Sequence, residues 1–329
     1  MHQDHAGKPV FFGGNSRSKC YPYGMRKTLA AVLTVGALLG FGSAACGSSD
    51  TRTEFGESDG AAGTDPFGNG NGNGNGNGGG FGFADAATPD AAAEANECRQ
   101  MDIVFVVDNS GSMAQEQANL KTNFPKFVDV LNAYKTKSGA SLDYRLAVTS
   151  TDTDSGLKGA FANGGGLSRA WLERSDPGLA NIFSTRASLG TSGSSIERGL
   201  EAIKLSGNHP TNAGFIRKDA LYAFVIITDE DEGGVENQPR GTVDSYLGYL
   251  DVLKDQRARW AAAVIAGEKA CNSAGFGSAA EAVRLKDFIA KAGKNGTFSS
   301  ICEGDLTKGL SQALATFDAA CRNFPPATK

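Results

Sequence analysis

The sequence predicts an α/β domain built on a doubly wound, mostly parallel sheet with helices on both faces. Three observations predict it. Short runs of β-branched, aliphatic and aromatic residues at 103–107, 144–149 and 221–228 are bounded by turn residues, as strands buried on both faces are. Between them, apolar residues recur at helical spacing. Strands that alternate with amphipathic helices build parallel sheets through crossover connections.

The first strand lies in MDIVFVVDNSGSM, residues 101–113, and stops at Asp108. A helix follows with Leu120, Phe124, Phe127, Leu131 and Tyr134 on one face. Ser112 with Gln115 makes a capping box for it, and Pro125 should kink or divide it. YRLAVT (144–149) is the second strand. Glycine-rich sequence follows up to Arg174, and an edge or antiparallel strand is expected between Leu157 and Trp171. A helix over 196–205 turns Leu200 and Ile203 inward. LYAFVIIT (221–228) is the third strong strand, and it too ends in acid, with Asp229, Glu230, Asp231 and Glu232. A helix (243–256), a strand (260–266), a helix (278–291), a short strand (297–301) and a last helix (306–321) capped by Asp305 complete the domain.

The first hundred residues have a different composition. MRKTLAAVLTVGALLGFGSAAC starts at Met25 with two basic residues, continues with an apolar stretch over 29–41 and ends in small residues before Cys46. This is the grammar of a secretory signal, too short to span a membrane. The 24 residues before Met25 carry none of it, so Met25 is the expected true start. Cys46 resembles the acylated cysteine of bacterial lipoproteins, with Ala44 and Ala45 before it, Gly47 after it and Ser43 where a leucine-type residue is usual. Ordinary cleavage after an Ala-x-Ala-like site is the alternative. Lipidation implies a membrane anchor at the outer membrane or cell surface, and plain cleavage implies a secreted or periplasmic protein.

Residues 47–97 are mostly Gly, Ala, Asn, Asp and Thr around GNGNGNGNGGG (70–80). Such a segment buries too little apolar surface to offset its chain entropy. It reads as a disordered tether with a reach of about 35–42 Å. The expected organisation is therefore a signal (1–46), a linker (47–97), a domain (98–322) and a tail (323–329).

The net charge is −4. The first 45 residues hold five basic side chains and one acid, so the remainder is more acidic still, and nothing invites nucleic acid. Four cysteines fall in the domain. An even count in an oxidising compartment favours two disulfides out of three possible pairings. Cys271 with Cys302 and Cys98 with Cys321 is preferred, because the second bridge would staple the start of the domain to its last helix.

Chemistry gathers where the acid-ended strands stop. Asp108, Ser110 and Ser112 are spaced i, i+2, i+4, so a carboxylate and two hydroxyls can converge above the sheet and offer hard oxygens to Mg²⁺ or Ca²⁺. Asp-x-Ser-x-Ser after a buried strand resembles the metal-ion-dependent adhesion site of von Willebrand factor type A domains, which have a Rossmann-like fold. That resemblance implies that Ser110 and Ser112 touch the ion, that Asp108 acts mainly through water, and that Asp229 in VIITD is the second carboxylate. It also implies a middle-loop hydroxyl. Ser194, with Gly199 and Leu200 five and six residues on, is favoured for it over Thr191, and Ser194 with Glu197 would equally make a capping box. The implied ion is Mg²⁺, with Ca²⁺ or Mn²⁺ as alternatives, and the implied partner is a protein that offers the ion a carboxylate. Asp231 and Glu232 read as a solvated acidic loop, with a second cation as the other reading.

Enzyme readings are thin. His209 is the only histidine after the signal, so a Ser-His-Asp triad is not expected. There is no nucleophile elbow and no Walker loop, and no small-molecule substrate is implied. The alternatives to adhesion are a structural envelope lipoprotein with a vestigial metal loop and an aspartyl-nucleophile phosphatase.

Overall fold

Strand and helix order follow from which residues the chain must bury. The computed structural model describes residues 98–273 and 277–326. The signal, the expected lipidation at Cys46 and the linker lie outside the described residues. The strands are β1 (Gln100–Val107), β2 (Asp143–Ser150), β3 (Leu172–Glu173), β4 (Leu221–Ile227), β5 (Trp260–Ala266), β6 (Cys271–Ser273), β7 (Gly277–Ala279) and β8 (Gly296–Ser300). The helices are α1 (Ala114–Ala133), α2 (Leu179–Ala187), α3 (Gly199–Asn208), α4 (Val243–Leu253), α5 (Val283–Ala292) and α6 (Leu306–Arg322).

Six strands form one sheet in the order β3-β2-β1-β4-β5-β8. Every pairing is parallel except β2 with the two-residue edge strand β3. The fold is thus the mixed, mostly parallel α/β sheet flanked by helices that the alternation predicts. β1 shows why both faces are covered. Ile103, Phe105 and Val107 pack with α1, α2 and α6 on one side, and Val104 and Val106 pack with α3, α4 and α5 on the other. Phe105 meets Phe124, Phe127 and Phe183 edge to face at ring-centre distances of 5.0–5.4 Å, a favoured aromatic geometry. The β1 to β2 connection runs through α1 and the β4 to β5 connection through α4, on opposite faces. The switch point therefore falls between β1 and β4, where doubly wound sheets place ligands.

Several elements depart from expectation for physical reasons. Helix α1 runs undivided through Pro125. Proline cannot donate to the Lys121 carbonyl, and the Ser184 hydroxyl of α2 supplies that hydrogen bond instead, at 3.2 Å. The edge strand lies just beyond the expected window, at Leu172–Glu173. The expected helix start at 278 is wrong: Gly277–Ala279 pairs with Cys271–Ser273 as a hairpin, and α5 begins at Val283. Disulfides join Cys98 to Cys321 and Cys271 to Cys302, with Cα separations of 5.0 and 6.1 Å. Asp305 caps α6 by accepting from the Thr307 amide. No helix among the described residues is long and apolar enough to cross a membrane.

At the opposite end of the sheet from the strand carboxyl ends, Lys254 is buried and donates to the carbonyls of Arg217 and Lys218 at 2.6 and 3.1 Å. Burial pulls its ammonium down to about 8 from the usual 10.5. The unfolded chain therefore binds one more proton than the folded one between those values, and stability rises with pH across that window. The rise in urea-unfolding free energy between pH 8 and 10.5 is expected to be about 3 kcal/mol smaller in Lys254→Met protein than in wild type. Parallel curves for the two proteins would show that the amine is solvated.

Candidate metal centre

The first loop is built from the end of β1. The Asp108 amide donates to the Ile227 carbonyl at 2.9 Å, extending the β1–β4 ladder by one residue and bringing the two acid-ended strands side by side. Asp108 is fully buried. One carboxylate oxygen accepts from the Ser110 amide at 2.8 Å and the other from the Thr228 hydroxyl at 2.6 Å. Burial pushes this carboxyl up, against the pull of those two donors. Both oxygens are thereby oriented and partly occupied, which suits a carboxylate that works through water.

The hydroxyls of Ser110 and Ser112 lie 3.1 Å apart, because a tight turn over Gly111–Met113 precedes α1. The expected capping box of Ser112 with Gln115 does not form. α1 starts without a side-chain cap, and the Ser112 hydroxyl pairs with the Ser110 hydroxyl instead, close enough to Asp229 to pull that carboxyl down. Gln117, which no local pattern singles out, holds the loop from beneath. Its amide nitrogen donates to the Asp108 and Gly190 carbonyls, both at 2.7 Å, tying the first loop to the middle one.

Asp229 is 2% exposed, and its Oδ1 accepts no hydrogen bond. Burial, and then the neighbouring charges of Asp108, Glu230 and Glu116, push it up to about 7. Glu116 at the start of α1 is also buried, with Oε2 unpartnered, and is raised by burial and by Asp108. The β6–β7 hairpin closes over it. A Cβ on Gly277, at φ +85°, would lie 2.0 Å from Glu116 Oε1, so only glycine lets the strand approach so closely.

The middle loop is docked by main-chain contacts. Gly193 donates to the Asn109 carbonyl at 2.7 Å, and a Cβ there would run into the Asn109 side chain. Asp152, two residues beyond β2, accepts from the Asp154 and Ser155 amides, the Ser155 hydroxyl and the Ser194 amide. Although burial raises it, those donors win and hold its carboxyl below the usual range. Sequence reasoning missed Asp152, whose partner Ser194 is 42 residues away. The Ser194 hydroxyl accepts from the Ile196 amide at 3.0 Å, a local turn. The Ser194–Glu197 capping box does not form, and α3 starts at Gly199. Thr191 lies exposed on the rim.

Asp231 and Glu232 are not a solvated loop. Glu232 is buried and accepts from the Leu200 and Glu201 amides, capping α3, and Asp231 accepts from the Arg284 and Leu285 amides, capping α5. Both helix starts lack a cap of their own, and carboxylates satisfy such orphan N–H groups.

The structure thus brings Asp108, Ser110, Ser112 and Asp229 together at the switch point, and the middle loop carrying Ser194 is stapled beside them. The donors are hydroxyl and carboxylate oxygens, and among the described residues no three His, Cys, Asp or Glu side chains form a metal-holding group. A buried carboxylate oxygen without a partner, next to paired hydroxyls and like charges, fits a hard divalent cation.

No family model matches the sequence, and no curated protein does. Solved structures are similar at low identity. A pilus adhesin, SpaC from Lactobacillus rhamnosus GG, aligns over 67% of this chain and 31% of its own at 15% identity and a TM-score of 0.41. Proximal thread matrix protein 1 from the mussel byssus, with a zinc-occupied MIDAS motif, aligns over 68% and 47% at 14% identity and 0.40. Manganese-loaded TRAP protein of Plasmodium vivax aligns over 65% and 74% at 14% identity and 0.36. The chain spans less than half the length of the adhesin and of the byssus protein.

Proposed function

We propose that this chain is an extracytoplasmic domain of the von Willebrand factor A type that binds a protein through a divalent cation. Ser110 and Ser112 would hold the ion directly, Asp108 through water and Asp229 as the second carboxylate, with Ser194 or Thr191 from the middle loop. The ion is Mg²⁺, or Ca²⁺ or Mn²⁺ in its place. When bound, it supplies a positive centre to which a carboxylate of the partner can attach. The residues of the chain do the rest. Neutral hydroxyls leave that centre under-neutralised, Thr228 and the Ser110 amide fix Asp108, and Gln117 keeps first and middle loops in register.

The observation that carries this reading is the unpartnered, buried Asp229 Oδ1 beside the hydroxyl pair. A phosphatase reading is disfavoured because the Asp108 carboxylate is fully buried and engaged on both oxygens, which leaves it badly placed for attack. Acylation at Cys46 would tether the domain to a membrane by the 47–97 segment. Mass spectrometry of the mature N-terminus tests that anchor.

For the binding function, the immobilised full chain is expected in Mg²⁺ to capture a protein partner that offers a carboxylate, to release it in chelator, and to capture nothing as Asp108→Ala. A partner kept both in chelator and by the variant rejects cation-mediated binding.

A further inference from the structure

We propose that a second divalent-cation site, of the calcium class, lies behind the middle loop, made by the carboxylates of Glu197 and Glu230 and the main-chain carbonyl of Ser195. Glu197 is 1% exposed, and neither of its carboxylate oxygens accepts a hydrogen bond. Its side chain is directed at Glu230, across a small space bounded by Gly234. A Cβ built on Gly234 would lie 3.0 Å from Glu230 Oε2, 3.1 Å from Glu197 Oε2 and 3.1 Å from the Ser195 carbonyl oxygen. Three oxygens from two segments, residues 195–197 and Glu230, therefore face the space that a Gly234 side chain would fill, and two of them belong to carboxylates.

Calcium takes carboxylate and carbonyl oxygens at about 2.3–2.6 Å, and an ion seated among these oxygens, on the side away from the Gly234 Cα, is reached by rotating the two glutamate side chains toward the fixed Ser195 carbonyl. A proton shared by the two carboxylates would explain one pair of oxygens. It would not explain why a main-chain carbonyl faces the same point, nor why the second Glu197 oxygen is also unpartnered. The remaining contacts hold the surroundings in place. Gly233 donates to the Glu197 carbonyl at 2.7 Å, and Val235 donates to Glu230 Oε2 at 3.0 Å. Gly233 and Gly234, at φ +96° and +64°, bend the chain around the space where a side chain would fill it. No lysine or arginine among the described residues pairs with Glu197 or Glu230, since Arg198 is taken by Asp154 and Arg284 by Asp231.

The site stands whether or not Asp108, Ser112 and Asp229 hold a metal, because it uses none of them. Ser195 and Glu230 are the direct neighbours of Ser194 and Asp229, so a second ion would lock the two loops that carry those residues.

Native mass spectrometry of the chelated full chain titrated with Ca²⁺ alone tests this by counting ions. Two are expected in wild type, one in Glu197→Gln, one in the Asp108→Ala, Ser112→Ala double variant, and none in the triple variant. A Glu197→Gln count equal to that of wild type overturns the second site, whatever that count is. If Glu197→Gln does not fold, the double variant decides. An ion retained there supports the site, and a bare protein overturns it. A wild-type count of one that Glu197→Gln abolishes and the double variant keeps would support the second site while rejecting the first.

Discussion

Chelated wild-type protein at pH 8 is expected to gain more from Mg²⁺ than Asp229→Asn protein does, with its thermal midpoint rising by about 5–10 °C more at a hundredfold excess over Kd. A ligand at that excess stabilises by about 2.7 kcal/mol, and one kcal/mol moves a domain of this size by about 2–4 °C. The same substitution should act with the opposite sign when no metal is present. Burial and like charges raise Asp229 to about 7 from 3.8. The folded state therefore holds this proton more tightly than the unfolded one. Full stability is present below about pH 4 and is lost as pH rises through 7, by up to about 4 kcal/mol. Asparagine cannot ionise, so the variant in chelator lacks that loss and is more stable than wild type at pH 8. Differential scanning calorimetry with and without chelator reads both effects. An Asp229→Asn protein that gains as much from Mg²⁺ as wild type would show that the ion does not use this carboxylate.

The two acids of the site were legible because each ends a strand that cannot be anything else. Ile103 to Val107 and Leu221 to Ile227 are buried throughout, and an uninterrupted apolar run announces that. The carboxylate that follows must then sit at the sheet's rim. What fixes the site was not legible. Gln117 reaches Gly190 over 73 residues and Asp152 reaches Ser194 over 42, and no local pattern encodes contacts of that range. Local motifs were overridden where burial had a stronger claim. Ser112 gives up its cap to pair with the Ser110 hydroxyl, and the Glu197 side chain turns into the interior, so α3 takes its cap from Glu232 instead. The β6–β7 hairpin is small, and its paired residues 271–273 and 277–279 are Cys, Asn, Ser, Gly and Ala. Such residues have no strand signature, and the disulfide to Cys302 and the contact of Gly277 with Glu116 place it.

Replacing both members of the Cys98–Cys321 bridge with alanine is expected to remove about 5 kcal/mol of stability, against about 4 kcal/mol for the Cys271–Cys302 pair. The difference follows from loop length, since the bridges close sequence separations of 223 and 31 and the entropy withheld from the unfolded chain grows with the logarithm of that number. Both sulfurs of the longer bridge are buried, whereas Cys271 and Cys302 are partly exposed, so mild reductant should open the shorter bridge first. Urea midpoints of the two double variants measure the first claim, with a fall of about 2 M expected for the longer loop, and mass-resolved alkylation measures the second. Equal losses would place the effect in the folded state rather than in the unfolded chain. The long bridge also bears on tethering. Cys98 lies two residues before the central strand β1, and its amide donates to the Cys321 carbonyl in the last turn of α6. A pull arriving through residues 47–97 would therefore be delivered to the last helix and to the strand together, and with the bridge intact β1 cannot be peeled from the middle of the sheet unless the end of α6 is drawn away with it. In a pulling experiment from the N-terminus, the alanine pair should give way at lower force than wild type, and reductant should not bring the wild type to that force until the buried bridge is opened.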